Sequence, residues 1–148
     1  MKKVLIFLAA ALTLSSCGIM QSSALYYWGG TQNETTVYED LTYKDYKKQT
    51  PEAVCKLVCA YEDMVSHPGG VRKMPPPGIC AEYGYLLLQP STAEYFTSKA
   101  TDYQKKAFDR NDFAAFFPER GKEMFQKELE YYPESRQFIE PLLKKLAR

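Results

Sequence analysis

The chain has 148 residues, 45% hydrophobic and 25% charged, with 19 basic against 18 acidic side chains and a single histidine. That length suits one domain with a true core, and the even charge balance argues against nucleic acid or a polybasic membrane patch as partner, since both need clustered Lys and Arg. Histidine-based chemistry has only His67 to draw on.

Lys2 and Lys3 precede an apolar run from Val4 to Leu14 that is broken only by Thr13. The run is too short for a permanent span and has the build of a signal-peptide core. Leu14-Ser15-Ser16-Cys17 resembles the bacterial lipoprotein signal, which implies cleavage before Cys17 and acylation of that residue by fatty acids such as palmitate. The plain alternative is an ordinary secretory signal. On the lipoprotein reading residues 1–16 are a cleaved signal, 17–35 an acylated tether with an aromatic segment, and 36–148 a single helical domain. Each buried acyl methylene contributes about 0.8 kcal/mol, so the anchor holds to a membrane without a transmembrane helix. Losing Lys2 and Lys3 takes the side-chain charge from +1 to about −1. Gly18 rather than Asp follows Cys17, which resembles outer-membrane sorting in Gram-negative lipoproteins and implies an outer-membrane anchor facing the periplasm.

Tyr26-Tyr27-Trp28-Gly29-Gly30 carries the only tryptophan. Three readings stand: a platform on which a ligand or partner stacks, a staple packed onto the first helices, or contact with the membrane interface, which lies within about 30 Å of extended chain from Cys17.

From here the pattern is helical. Thr36 to Lys48 places Tyr38, Leu41 and Asp45 or Tyr46 at helical spacing. Thr50-Pro51-Glu52 is a start signal, a cap followed by proline at the first helical position. The helix it opens runs to Ser66 with Val54, Leu57, Val58, Tyr61 and Val65 on one face, and His67-Pro68-Gly69-Gly70 ends it. Met74-Pro75-Pro76-Pro77-Gly78 feeds a helix from Ile79 to Gln89 that is apolar on nearly every side and so belongs in the middle of a bundle. Gly84 within it costs about 1 kcal/mol relative to alanine, which points to close approach of a neighbouring helix. Ser91-Thr92-Ala93-Glu94 reads as a capping box opening a helix with Ala93, Phe96, Ala100, Tyr103 and Ala107 on one side. Phe113 to Phe117 reads as a separate aromatic turn before Pro118, and a further helix runs from Glu119 to Tyr131 until Pro133. The last, Ser135 to Leu146, puts Phe138, Leu142, Leu143 and Leu146 on one stripe, and Pro141 either delays its start or kinks it. No sustained alternation and no Asn-Gly or Asp-Gly turn signals a strand, so the expected fold is all-α with five to six helices.

Gly84, Gly121, Phe125 and Pro133 resemble the small, aromatic and proline positions of a tetratricopeptide helical pair, with Cys80 where that pattern has tryptophan and a long insertion between the halves. The ordered set Tyr26-Tyr27-Trp28-Gly29-Gly30, Tyr43-Lys44-Asp45-Tyr46, Pro76-Pro77-Gly78, Ala81-Glu82-Tyr83-Gly84-Tyr85 and Tyr132-Pro133-Glu134-Ser135 resembles a family of small bacterial lipoproteins with a tetratricopeptide-like domain, encoded beside lipoproteins similar to the CsgG curli-secretion pore. The resemblance implies antiparallel helical hairpins and an accessory role at an envelope assembly with a CsgG-like lipoprotein as partner; it supplies no catalytic residue.

The remaining chemistry is sparse. Cys55, Cys59 and Cys80 are the thiols left once Cys17 is acylated, and in an oxidising envelope Cys80 with Cys55 or Cys59 is a candidate disulfide, the other reading being three reduced core cysteines. With His67 they also make a nominal metal set, but Cys-x₃-Cys is an uncommon zinc spacing and His67 sits in a turn, so no metal or other cofactor is expected. No nucleophile elbow accompanies His67. Carboxylates such as Glu62, Asp63 and Glu82 could act as an acid–base pair, although adjacent or scattered acids are usually a solvated face. The expectation is a non-catalytic interaction or assembly module with Tyr26, Tyr27, Trp28, Tyr83 and Tyr85 as candidate partner-binding residues; the alternative is an envelope glycan binder or carboxylate-based glycan hydrolase.

Overall fold

A computed structural model of the chain describes residues 24–32, 34–45 and 50–146. The expected signal segment, Cys17 and the helical positions expected from Tyr46 to Lys48 lie outside the described residues. The fold is all-α, with seven α-helices among the described residues: α1 (Val37–Asp40), α2 (Pro51–Ser66), α3 (Ile79–Leu87), α4 (Pro90–Lys99), α5 (Asp102–Lys106), α6 (Phe113–Tyr131) and α7 (Arg136–Leu146). A π-helical turn, Leu41–Asp45, continues α1, and a 3₁₀ turn, Pro133–Ser135, leads into α7. One antiparallel ladder joins β1 (Thr31–Gln32) to β2 (Thr35–Thr36), with Thr31 opposite Thr36. The sequence did not signal this hairpin, because two residues per strand are too few for an alternation to register.

Thr50 caps α2 by accepting from the Ala53 amide at 3.2 Å, with Pro51 in the first turn. The expected face of α2 is buried throughout, from Val54 to Val65. The N-terminal segment is tied to the turn that follows: Val71 and Arg72 donate their amides to Ala24 and Leu25, each at 3.0 Å. Gly70 permits this with a φ of +72°, since a Cβ there would lie 2.7 Å from the Leu25 carbonyl oxygen.

The centre of the molecule is the crossing of α3 and α6. A Cβ on Gly84 would lie 2.8 Å from the Gly121 carbonyl oxygen, and one on Gly121 would lie 2.9 Å from that of Gly84. Two glycines thus let two backbones touch. The left-handed Gly78 that precedes α3 has no side chain to cap it, so the cap comes from α6: the Glu128 carboxylate accepts the Gly78 amide at 2.9 Å, the Ala81 amide at 3.4 Å and the Ser135 hydroxyl at 3.2 Å. Glu128 is only 1% exposed, and this use of both oxygens is what makes its burial tolerable.

Three expected elements differ. The helix from Ser91 is two helices. Pro90 opens α4 without a side-chain cap, the Thr92 hydroxyl instead bonding the Leu86 carbonyl at 2.7 Å. Ala100 is extended, and Thr101 with Gln104 forms the capping box that opens α5, leaving Tyr103 and Ala107 exposed. By contrast, the aromatic turn and the helix after Pro118 are one helix, α6, capped by Asp112. Pro118 removes a single bond near the helix start, while Phe113 and Phe117 hold the first turns by packing their rings 4.9 and 5.3 Å from Phe96. Likewise α7 continues through Pro141, but Ile139 is its buried residue, and Phe138 is 72% exposed.

Candidate functional site

The aromatic segment is hooked onto α1. Gly29, at a φ of +77°, turns the chain so that Gly30 accepts the Val37 amide at 3.1 Å and Trp28 the Tyr38 amide at 3.4 Å. The half-buried Trp28 ring then sits 5.3 Å from Tyr38, tilted by 44°. From there a file of rings runs inward, with Tyr38 6.2 Å from Tyr61 and Tyr61 5.6 Å from Tyr83. The hairpin also caps α1: Glu39 Oε2 accepts the amide and the hydroxyl of Thr36, each at 2.9 Å. These bonds hold the Glu39 carboxyl below the usual carboxylate range.

Two carboxylates organise the tyrosines. Glu82 Oε2 accepts the Tyr61 hydroxyl at 2.7 Å and the Tyr38 hydroxyl at 3.0 Å. Burial, and then the Glu82 charge, push the Tyr38 hydroxyl well above its ordinary value, so it stays a proton donor. Deeper in, Glu62 accepts the Tyr83 hydroxyl at 2.7 Å and pairs with Arg120, whose Nη2 lies 2.7 Å from Oε1 and Nε 3.3 Å from Oε2. Arg120 also bonds Glu123 at 2.8 Å. Burial works against the Arg120 charge, but the bonds to Glu123 and Glu62 outweigh it and hold the guanidinium protonated. Glu62 and Asp63, adjacent in sequence, diverge: Asp63 accepts the Tyr27 hydroxyl at 2.9 Å and lies 3.2 Å from His67 Nδ1.

The expected partner-binding residues are therefore split. Tyr26 and Tyr27 are half-buried, and the Tyr27 hydroxyl is committed to Asp63. Trp28 borders an open pocket of about 290 Å³ that it shares with Thr36, Tyr38, Glu39 and Tyr43. Tyr85 is 49% exposed and borders neighbouring hollows with Leu86. Tyr83, in contrast, is fully buried beneath Arg120 and Glu62 and offers no surface to a partner. Its i+2 offset from Tyr85 puts the two on opposite sides of α3. The sequence reading passed over Tyr43 and Arg120 as site residues; Tyr43 stands out only as a 68% exposed ring beside Trp28, and nothing local links Arg120 to Glu62.

The three cysteines are free thiols, and the candidate disulfide is not formed. Cys55 donates to the Tyr95 carbonyl on α4, whereas Cys80 lies among Glu128, Lys127 and Arg120 on α6, so the helices that bear them direct them to different interfaces. Burial pushes the thiols up, Cys55 to about 11 and Cys59 and Cys80 to about 12. Neither Cys80 nor the surface turn at His67 joins the Cys55–Cys59 pair, so the nominal metal set is not assembled. Among the described residues no helix is long and apolar enough to cross a membrane.

The chain matches no protein-family model, no curated protein and no solved structure.

Proposed function

We propose that this chain is an outer-membrane-anchored envelope lipoprotein whose helical domain is a non-catalytic interaction or assembly module, serving a CsgG-like complex on the periplasmic side. The observation that carries the reading is the division of labour between acids and rings. Glu62, Glu82 and Glu128, the acids with the most burial or aromatic surroundings, are each occupied as acceptors for tyrosine hydroxyls, Arg120 or helix amides. Trp28, Tyr43 and Tyr85 meanwhile keep ring surface at the outside. Rings on a rigid scaffold at a wet surface are what recognition of a partner needs. Carboxylates held as structural acceptors disfavour the glycan-hydrolase alternative, which would require one of them to exchange a proton with substrate.

The lipobox supports the anchor, and the Gly84–Gly121 crossing supports a tetratricopeptide-like pairing of α3 with α6. Purification of the tagged chain from membranes in mild detergent tests the reading. Stoichiometric co-recovery of a CsgG-like pore lipoprotein is expected, and this should be lost with Cys17→Ser, which also abolishes incorporation of labelled palmitate. Palmitate on the Cys17→Ser chain, or recovery of the wild-type chain with no pore lipoprotein, would sink the corresponding half of the proposal.

A further inference from the structure

We infer that the pocket formed by Trp28, Tyr38, Tyr43 and Glu39 is an aromatic cage for a guanidinium, the side chain of an arginine carried by a partner protein. Among the described lining residues Trp28, Tyr38 and Tyr43 present rings, and the charged group, Glu39, is a carboxylate. Trp28 and Tyr38 meet at 44°, which makes two walls of a wedge rather than one flat platform. A cation over such faces is attracted by their quadrupoles, Trp most strongly, whereas a sugar is served better by a flat ring with donors and acceptors around it.

Charge complementarity identifies the occupant. Glu39 spends Oε2 on Thr36, which leaves Oε1 for a ligand, and its lowered pKa keeps it ionised. Behind Tyr38, Glu82 accepts that ring's hydroxyl at 3.0 Å, which polarises the phenol toward greater electron density on its face and adds a second negative charge to the site. Among the described residues that line the pocket, none is basic. Arginine fits better than lysine because a planar guanidinium stacks on a ring while its fork reaches a carboxylate. The backbone bonds from Tyr38 to Trp28 and from Val37 to Gly30, together with the Thr36–Glu39 capping box, hold the Trp28, Tyr38 and Glu39 side of the cage in place before any ligand arrives. Only the protein nature of the partner rests on the function proposed above; the cage stands on its own geometry.

Trp28 is the only tryptophan, so its fluorescence reports the site directly. The full acylated chain in a non-ionic detergent is titrated with N-acetyl-argininamide at constant ionic strength, against the neutral isostere N-acetyl-citrullinamide and against choline. A saturable change with the arginine probe is expected, and none with the citrulline probe. Tyr43→Leu, at a site exposed enough to spare the fold, should weaken binding about tenfold, while Tyr43→Phe, which keeps the ring, stays within about twofold. Equal response to the citrulline probe, or wild-type affinity in Tyr43→Leu, overturns the cage. Tighter binding of choline than of the arginine probe overturns the arginine assignment in favour of a quaternary ammonium. Loss of the cage with retained co-recovery of the pore lipoprotein leaves the module reading in place, and the converse result removes that reading alone.

Discussion

Replacing Gly84 by alanine sets two effects of opposite sign against each other. Helix propensity alone favours alanine by about 1 kcal/mol at an interior helical position. The new Cβ, however, would lie 2.8 Å from the Gly121 carbonyl oxygen and 3.2 Å from Phe125 Cδ2. Neither neighbour can swing aside, since one is helix backbone and the other a fully buried ring. Relief requires α3 and α6 to separate by roughly half an ångström along their crossing, and overpacking of this kind costs about 1–3 kcal/mol, more where backbone must move. The same shift would pull the Gly78 amide from Glu128, 2.9 Å away at the far end of the same interface. Because backbone must move, the packing cost falls in the upper part of that range, about 2–3 kcal/mol, and wins; Gly84→Ala should destabilise the chain by about 1–2 kcal/mol net, a fall in Tm of about 3–10 °C for a domain of this size. Thermal unfolding followed by far-ultraviolet circular dichroism measures it. Gly121→Ala should behave alike, and the double substitution should cost less than the sum, because the first methyl has already parted the helices. A Tm for Gly84→Ala equal to or above that of the parent chain would refute the close crossing.

Glu128→Leu leaves the Gly78 amide and the Ser135 hydroxyl without an acceptor and should cost about 2–4 kcal/mol, while the same change at the exposed Glu130 is nearly silent in urea unfolding. Acid should weaken the fold through Glu123: burial tends to raise its pKa, but the bonds and charge of Arg120 lower it below the ordinary 4.5. The unfolded chain then takes up a proton at higher pH than the folded one, so this contribution is complete above about pH 4.5 and is lost as pH falls through the lowered folded value. Arg120→Gln should flatten the acid limb of Tm against pH; an unchanged limb would exclude Glu123 as its source. Cys55, Cys59 and Cys80, raised to about 11, 12 and 12, should resist iodoacetamide at pH 8 in the native chain and react once urea unfolds it, as read by intact-mass spectrometry. Rapid native alkylation of Cys55 or Cys80 would contradict their burial.

Much of this fold is legible from local chemistry. Thr50-Pro51 marks the start of α2, the spacing from Val54 to Val65 gives its buried face, and Gly84 announces a close crossing, because capping, periodicity and glycine's cost act within a turn or two of chain. Gly121 is paired with Gly84 only through the tetratricopeptide-like set, and nothing in the sequence identifies Glu128 as the cap of α3 from 50 positions away. Pro118 looks like a boundary in sequence and lies inside α6 in the structure, since the rings that hold its first turns come from elsewhere in the chain, Phe96 from α4 and Phe108 from the turn after α5.

The candidate site divides the same way. A lipid-anchored envelope chain with an all-helical domain and an aromatic segment near its anchor is an expectation drawn from Leu14-Ser15-Ser16-Cys17 and from composition, and these are properties of short stretches. Which aromatic residues reach the surface is decided only by the tertiary structure. The helix bearing Tyr83 and Tyr85 is apolar almost all round, so its periodicity cannot choose an inner side; the Glu62–Arg120 pair draws Tyr83 in, and Tyr85 is left facing out. Trp28 joins Tyr38, Glu39 and Tyr43 in one pocket because Gly29 turns the chain back onto α1, and Glu82, 44 positions from Tyr38 in sequence, reaches that ring's hydroxyl only through the packing of α3.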